Sequence, residues 1–366
     1  MPAPSEFVAS VVRAEIRALK AYEVADAAGL VKLDAMENPY PLPQDVRAKI
    51  AAAVADVPIN RYPDGGAKGV KSALREAFGI GEGFGIVLGN GSDELIQMLT
   101  VAVAAPGATI MAPDPSFVMY RMNAVYAGVS FVGVPLAADF SLDSKAMHEA
   151  IEREKPALIF LAYPNNPTGN LFAPDHIDAV LRAAPGLVVI DEAYHAFAGT
   201  SYLPRLREFP NLVVMRTVSK IGMAGLRLGY GIGQPETLKA ISSTWNLGSI
   251  NTLTAAAGIA SMKDTEHIAE EVAENARVRS FTLQAFKDMG YAATDSHANC
   301  IFVDLKQNAP AFRDACLALK VQVGRDFPPY EKTHTRITLG TMDEMRQAVE
   351  VFKKVLTTRT ATSSAQ

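Results

Sequence analysis

Lys220 follows the apolar and β-branched run from Leu212 to Ser219 and precedes Gly222, Ala224 and Gly225, residues too small to cover it. An amine placed where a strand gives out can attack a carbonyl once deprotonated, and nearby cations, here Arg216 and Arg227, lower the pKa that governs this. The plainer reading is a surface lysine whose stem lies along apolar neighbours. A second chemical group closes the run Leu187-Val188-Val189-Ile190, where Asp191 leads into Glu192-Ala193-Tyr194. A carboxylate at the end of a buried strand needs a cation or a donor, and a protonated ring nitrogen would serve. Aspartate is also a common helix N-cap, so both readings stand.

The run from Ala157 to Tyr163 passes into Pro164-Asn165-Asn166-Pro167-Thr168-Gly169. Its prolines and glycine fix a turn; either the segment is only that, or Asn166 is a preorganised amide for a ligand oxygen. Upstream, GIVLGNGSDELIQML reads as strand, glycine turn and helix. Gly89 and Gly91 permit close backbone approach, and the amides of Gly91, Ser92 and Asp93 head a helix, where phosphate is attracted. The spacing is neither that of a P-loop nor G-x-G-x-x-G. An aromatic, Phe117, follows ATIMAPDPS. Taken in order, a phosphate cradle, an aromatic ring, an amide, an acid and a lysine describe a pocket for a phosphorylated aromatic aldehyde.

The elements that must position these groups are legible as apolar runs. From about Ile86 to Ile232 the runs GIVLG, ATIMAP, VSFVGVPL, ALIFLAY, LVVID, NLVVMRTVS and LGYGIG alternate with helical stretches. This alternation predicts an α/β fold with a mostly parallel sheet covered on both faces, whose ligands gather beyond the carboxyl ends of the strands. Past Asn251 the pattern changes to a long helix from Asp264 to Met289 stopped by Gly290, then NCIFVDL, VQVGR and TRITLG, then a helix opened by the capping box Thr341-Met342-Asp343-Glu344. The expected organisation is an N-terminal arm (1–40), a large cofactor-binding domain (41–262), a smaller α+β domain (263–358) and a disordered tail (359–366).

Bulk properties exclude several classes. The 366 residues are 49% hydrophobic and 20% charged, ordinary for a soluble globular chain. A net charge of −4 without a run of five like charges argues against nucleic-acid and membrane surfaces. Cys300 and Cys316 are too few for a disulfide framework or a zinc site, and the six histidines lack ligand spacing, so no metal is expected. The N-terminus carries charges where a secretory signal would be apolar, and the apolar region around Leu95 to Ala105 is too short to span a bilayer, which points to the cytoplasm.

On these motifs the chain resembles the fold-type I pyridoxal-phosphate enzymes of the class I/II aminotransferase group. PNNPTG, DEAY and the block from Ser219-Lys220 to Gly225-Leu226-Arg227 are shared widely there, whereas RYPD and RITLGT are similar to the histidinol-phosphate branch. The resemblance implies that Lys220 condenses with the aldehyde of pyridoxal 5'-phosphate and later carries a proton. It implies that Asp191 holds the ring nitrogen protonated, that Asn166 and Tyr194 bond the ring oxygen, and that Phe117 stacks on the ring. Gly91, Ser92, Asp93, Thr217, Ser219 and Arg227 would surround the phosphate. Tyr62 would reach the cofactor phosphate and substrate of a neighbouring subunit, making the enzyme a homodimer. Arg336 would clamp the substrate α-carboxylate and Arg325 the substrate phosphate or glutamate side chain. The family's Asn-Glu-Asn-Pro is here Met36-Glu37-Asn38-Pro39, so only Asn38 is carried over as substrate-proximal.

The implied reaction exchanges an amino group between glutamate and imidazole-acetol phosphate, in histidine biosynthesis. Rivals within the fold are an aromatic amino-acid aminotransferase and a phosphothreonine-type decarboxylase. Outside it stand a nicotinamide-dependent oxidoreductase, suggested only by GYGIGQ, and a binding module without catalysis.

Overall fold

Seven of the apolar runs pair into one sheet in a computed structural model that describes residues 4–20, 26–244, 249–263, 265–306 and 308–363. In chain order the strands are β1 (Val31–Leu33), β2 (Gly85–Asn90), β3 (Thr109–Asp114), β4 (Ser130–Pro135), β5 (Leu158–Ala162), β6 (Leu187–Asp191), β7 (Leu212–Thr217), β8 (Leu228–Gly233), β9 (Ala292–Ala293), β10 (Cys300–Asp304), β11 (Val321–Val323) and β12 (His334–Thr338). The large sheet runs β2-β8-β7-β6-β5-β3-β4. All its pairings are parallel except those of β8, which is antiparallel to both neighbours. The three glycines of GYGIGQ are therefore residues of the antiparallel β8, and only Gln234 lies beyond it, as the N-cap of the helix Pro235–Ser242, so the segment is not a glycine-rich turn between a parallel strand and its helix. Its glycine has a packing reason: a Cβ on Gly229 would sit 2.4 Å from the carbonyl carbon of Gly91.

Strand periodicity divides the core in two. Ile159, Leu161, Val188, Ile190 and Val214 face one apolar cluster. Leu158, Phe160, Ala162, Val189, Val213 and Met215 face the other. Helices cover both faces, which is why these strands read as unbroken apolar runs and not as alternation.

The smaller portion builds its own core from Leu33, Val278, Phe286, Ile301, Phe312, Ile337 and Phe352. β10 pairs antiparallel with β12 and β9, while β11 pairs with β1. Val31–Leu33, expected within the N-terminal arm, is a strand paired with this unit, and the fully buried Leu33 anchors it. The long helix spans Glu266–Asp288 and ends at Met289 and Gly290, whose φ is +81°. Its expected first residue, Asp264, lies outside the described residues. The last helix, Met342–Ser363, begins with the anticipated box: Glu344 N donates to Thr341 Oγ1 at 3.2 Å and Thr341 N to Glu344 Oε2 at 2.7 Å. Residues 359–363, expected as tail, continue that helix, because each residue added to an established helix gains one bond. Residues 364–366 lie outside the described residues. No described helix is long and apolar enough to cross a membrane.

Candidate active site

The carboxyl ends of β5, β6 and β7 open onto a cavity of about 510 Å³. Asn166, Asp191, Tyr194, Thr217, Ser219 and Lys220 line it from these strand ends, and Ser92, Asp93, Phe117 and Arg227 close it. Groups far apart in sequence converge because parallel strands deliver their C-terminal residues to one edge.

Asp191 is 4% exposed. Its Oδ2 accepts from the Tyr120 hydroxyl at 2.7 Å and its Oδ1 from Ala193 N at 3.1 Å. Burial pushes its carboxyl up to about 6, and those two donors oppose the rise. It is no helix cap: the short helix His195–Ala198 has Tyr194 at its N-cap. Lys220 moves the other way, its ammonium lowered to about 8 by burial first and by Arg336 second. The expectation that Arg216 and Arg227 would do this is corrected. Arg216 is drawn to Glu192 on the opposite face of the sheet, Nη2 to Oε2 2.8 Å, both buried. Arg227 pairs with Asp93 at 3.3 Å on the cavity wall. Lys220 Nζ lies 5.9 Å from the ring centre of Tyr194.

At the other end of the cavity, Gly91 turns the chain from β2 into the helix Gly91–Val103 with φ +73°. Its own N–H donates to Arg227 O at 2.9 Å, so that amide is used within the protein and Ser92 and Asp93 form the helix head that faces the cavity. What Gly91 contributes is space: a Cβ there would lie 2.5 Å from Arg227 Nη2. Thr217 Oγ1 and Ser219 Oγ stand 2.9 Å apart beside it. A helix N-terminus, two hydroxyls and a guanidinium are the donors a phosphate requires.

Arg336 on β12 is 3% exposed. Its Nη1 donates to Asn166 Oδ1 at 2.7 Å, its Nη2 to Asp34 O at 2.8 Å, and its guanidinium lies 4.8 Å from the Phe327 ring centre. Its Nε is buried and has no acceptor among the described residues. A substrate carboxylate would supply one. Arg336 and Arg325 line a second cavity of about 660 Å³, which shares Phe117, Tyr120 and Asn166 with the first.

Three expected residues do not line these cavities: Gly91, whose place beside Arg227 is given above, Asn38 and Tyr62. Asn38 lines neither; its Nδ2 donates to Glu271 Oε2 at 2.5 Å and its Oδ1 accepts from Tyr40 N at 2.9 Å. Its neighbours Met36 and Glu37 line the first cavity instead. Tyr62 is 92% exposed and also lines neither. Sequence reasoning missed Tyr120, which was detectable as the residue one helical turn beyond Phe117.

The donor set fits pyridoxal phosphate: an anion cradle, a buried acid for the ring nitrogen, an aromatic wall and an amine for the aldehyde. The family profile described as aminotransferase class I and II matches residues 28–352. Histidinol-phosphate aminotransferase of Chromobacterium violaceum is 46% identical over 343 residues, 92% of this chain and 95% of that protein. Histidinol-phosphate aminotransferase 2 of Cupriavidus pinatubonensis is 43% identical over 350 residues, covering 93% and 95%. Among solved structures, histidinol-phosphate aminotransferase from Sinorhizobium meliloti in complex with pyridoxal-5'-phosphate superimposes with a TM-score of 0.84 at 25% identity, covering 95% of this chain and 98% of that one. The chain belongs to the class I and II aminotransferase family. It is therefore a pyridoxal-phosphate-dependent enzyme of fold type I.

Proposed function

We propose that this chain is a histidinol-phosphate aminotransferase, exchanging an amino group between glutamate and imidazole-acetol phosphate. The observation that carries the chemistry is the placement of Lys220 and Asp191 on one cavity, the amine with a lowered pKa and the acid with a raised one. The relatives' names support the substrate, and Arg325 on the second cavity supplies a cation for its phosphate or for a glutamate side chain.

Pyridoxal phosphate, when bound, supplies an electron sink that allows the substrate Cα–H bond to ionise. Ser92, Asp93, Thr217, Ser219 and Arg227 would hold its phosphate, Phe117 would lie against its ring and Asp191 would pair with the ring nitrogen. Asn166 and Tyr194 would bond the ring oxygen. Arg336 takes the α-carboxylate bidentately, which sets the direction of the Cα–H bond. Neutral Lys220 would accept the proton from the substrate Cα at its Nζ and hold it there for return. Burial serves this step, because an ammonium at its ordinary pKa would hold its proton throughout the neutral range.

A homodimer with Tyr62 completing the partner's site is part of the proposal; the 92% exposure of Tyr62 and the 77% exposure of Ile59 beside it support a contact there. So are a cytoplasmic location, in keeping with a biosynthetic role, and the division into larger and smaller domains near residue 262.

Two experiments test the reading. Lys220→Ala should still bind cofactor but lose the borohydride-fixed link; a link that persists refutes the role of Lys220. Assay with imidazole-acetol phosphate, phenylpyruvate and O-phosphothreonine should favour the first; preference for either of the others assigns the enzyme to the aromatic or decarboxylase rivals.

A further inference from the structure

The acid that meets the cofactor ring is itself held by a residue outside the donor set assigned above. We propose that Tyr120 is a positioning residue for the reaction: its hydroxyl keeps the Asp191 carboxylate charged and oriented toward the ring nitrogen. The inference rests on the reading that this cavity holds pyridoxal phosphate.

Tyr120 is fully buried on the helix Val118–Ala127. Its ring stacks on Phe160 of β5, with centroids 4.5 Å apart and planes 1° from parallel, and meets Phe117 edge-on at 5.7 Å. These contacts leave the hydroxyl little freedom, and it points at Asp191 Oδ2 from 2.7 Å. The same ring thus links the aromatic wall to the acid.

The other groups facing Asp191 do not replace this donor. Asp93, on the helix Gly91–Val103, and Glu192, next in β6's sequence, both raise its pKa, although each is ion-paired, with Arg227 and Arg216 respectively. Tyr194 lies near Tyr120, Lys220 lines the same cavity, and Thr217 on the adjacent β7 is uncharged. Ala193 N supplies the second hydrogen bond, but to Oδ1. Tyr120 is the side-chain donor opposing burial. Without it the acid would protonate nearer neutral pH and could not pair with a protonated ring nitrogen.

The test is pyridoxal-phosphate binding by the apoprotein as a function of pH, for wild type and Tyr120→Phe, which keeps both ring contacts. Loss of a hydrogen bond to a charged group predicts affinity about 10- to 100-fold weaker near neutral pH. The acidic limb of the binding profile should move to higher pH, and the loss should vanish with a cofactor analogue whose ring nitrogen is replaced by carbon. An unmoved limb, or an equal loss with the carbon analogue, overturns the proposal. Should Tyr120→Phe fail to fold, Tyr120→His, which retains an N–H donor, is compared with Tyr120→Leu; coincident limbs overturn it likewise. Wild-type binding with a borohydride-fixed link to Lys220 tests the cofactor reading separately, whatever the variants do.

Discussion

Asp191→Asn should stabilise the empty protein while disabling the loaded one. Burial holds the carboxyl at about 6 in the fold against 3.8 in the unfolded chain, a gap equivalent to about 3 kcal/mol. The sign follows from proton counts. Between 3.8 and about 6 the folded state binds more protons than the unfolded, so stability is complete below that window and is lost as pH rises through it. Asparagine does not titrate and escapes the loss. It keeps the bond from Ala193 N through its oxygen, but its amide nitrogen now faces the Tyr120 hydroxyl and one donor is left unsatisfied, costing about 1 kcal/mol or somewhat more. The apoprotein of D191N is therefore expected to exceed wild type by about 1–2 kcal/mol near neutral pH. Denaturant unfolding of both apoproteins across the pH range measures it, and the advantage should shrink toward acid. Adding pyridoxal phosphate should reverse the order, because wild type gains binding free energy that D191N forgoes. A D191N apoprotein no more stable than wild type at neutral pH, or an advantage independent of pH, refutes the argument that this acid is kept at a cost in stability.

Gly91→Ala forces a side chain into a left-handed turn and against Arg227 Nη2, 2.5 Å away. Strain of about 1–3 kcal/mol and a displaced guanidinium should weaken cofactor binding about tenfold or more by titration. Arg336→Lys cannot keep both donations to Asn166 and Asp34 together with a bidentate carboxylate. It should raise KM for glutamate and lower kcat/KM at least about tenfold in steady-state assays, with lower apoprotein stability. Mixing inactive Tyr62→Ala and Lys220→Ala chains should restore some activity through hybrid sites carrying both native residues; none would count against a shared site.

The central sheet was legible because its strands are buried on both faces, so each appears as an apolar run, and β5, β6 and β7 are followed or closed by a chemical residue. Lys220, Asp191 and Asn166 were found for that reason. Asn38 was carried over from a motif, and it turns to Glu271 because the chain before it has entered the smaller unit as β1. No local pattern announces a strand of three residues whose partner, β11, lies near the other end of the chain.

The cation that adds to the burial of Lys220 was missed for a different reason, one that strand geometry could have supplied. Successive side chains of a strand point to opposite faces. On β6, Val189 faces the cluster that holds Phe160 and Tyr120, and Asp191, two residues on, meets Tyr120 there. Glu192 must then turn to the other side. On β7, Met215 belongs to the same cluster as Val189, so Arg216 also turns away, and the two meet as a buried ion pair behind the sheet. Parity alone thus removes Arg216 from the cavity despite its nearness to Lys220 in sequence. The cation that replaces it, Arg336, arrives on β12 of the smaller unit and is held by Asn166. Burial remains the larger cause of the Lys220 shift, but the part that Arg336 adds depends on how the smaller unit seats against the larger one, so a substitution that shifts β12 should change the pKa of Lys220 without touching the large sheet.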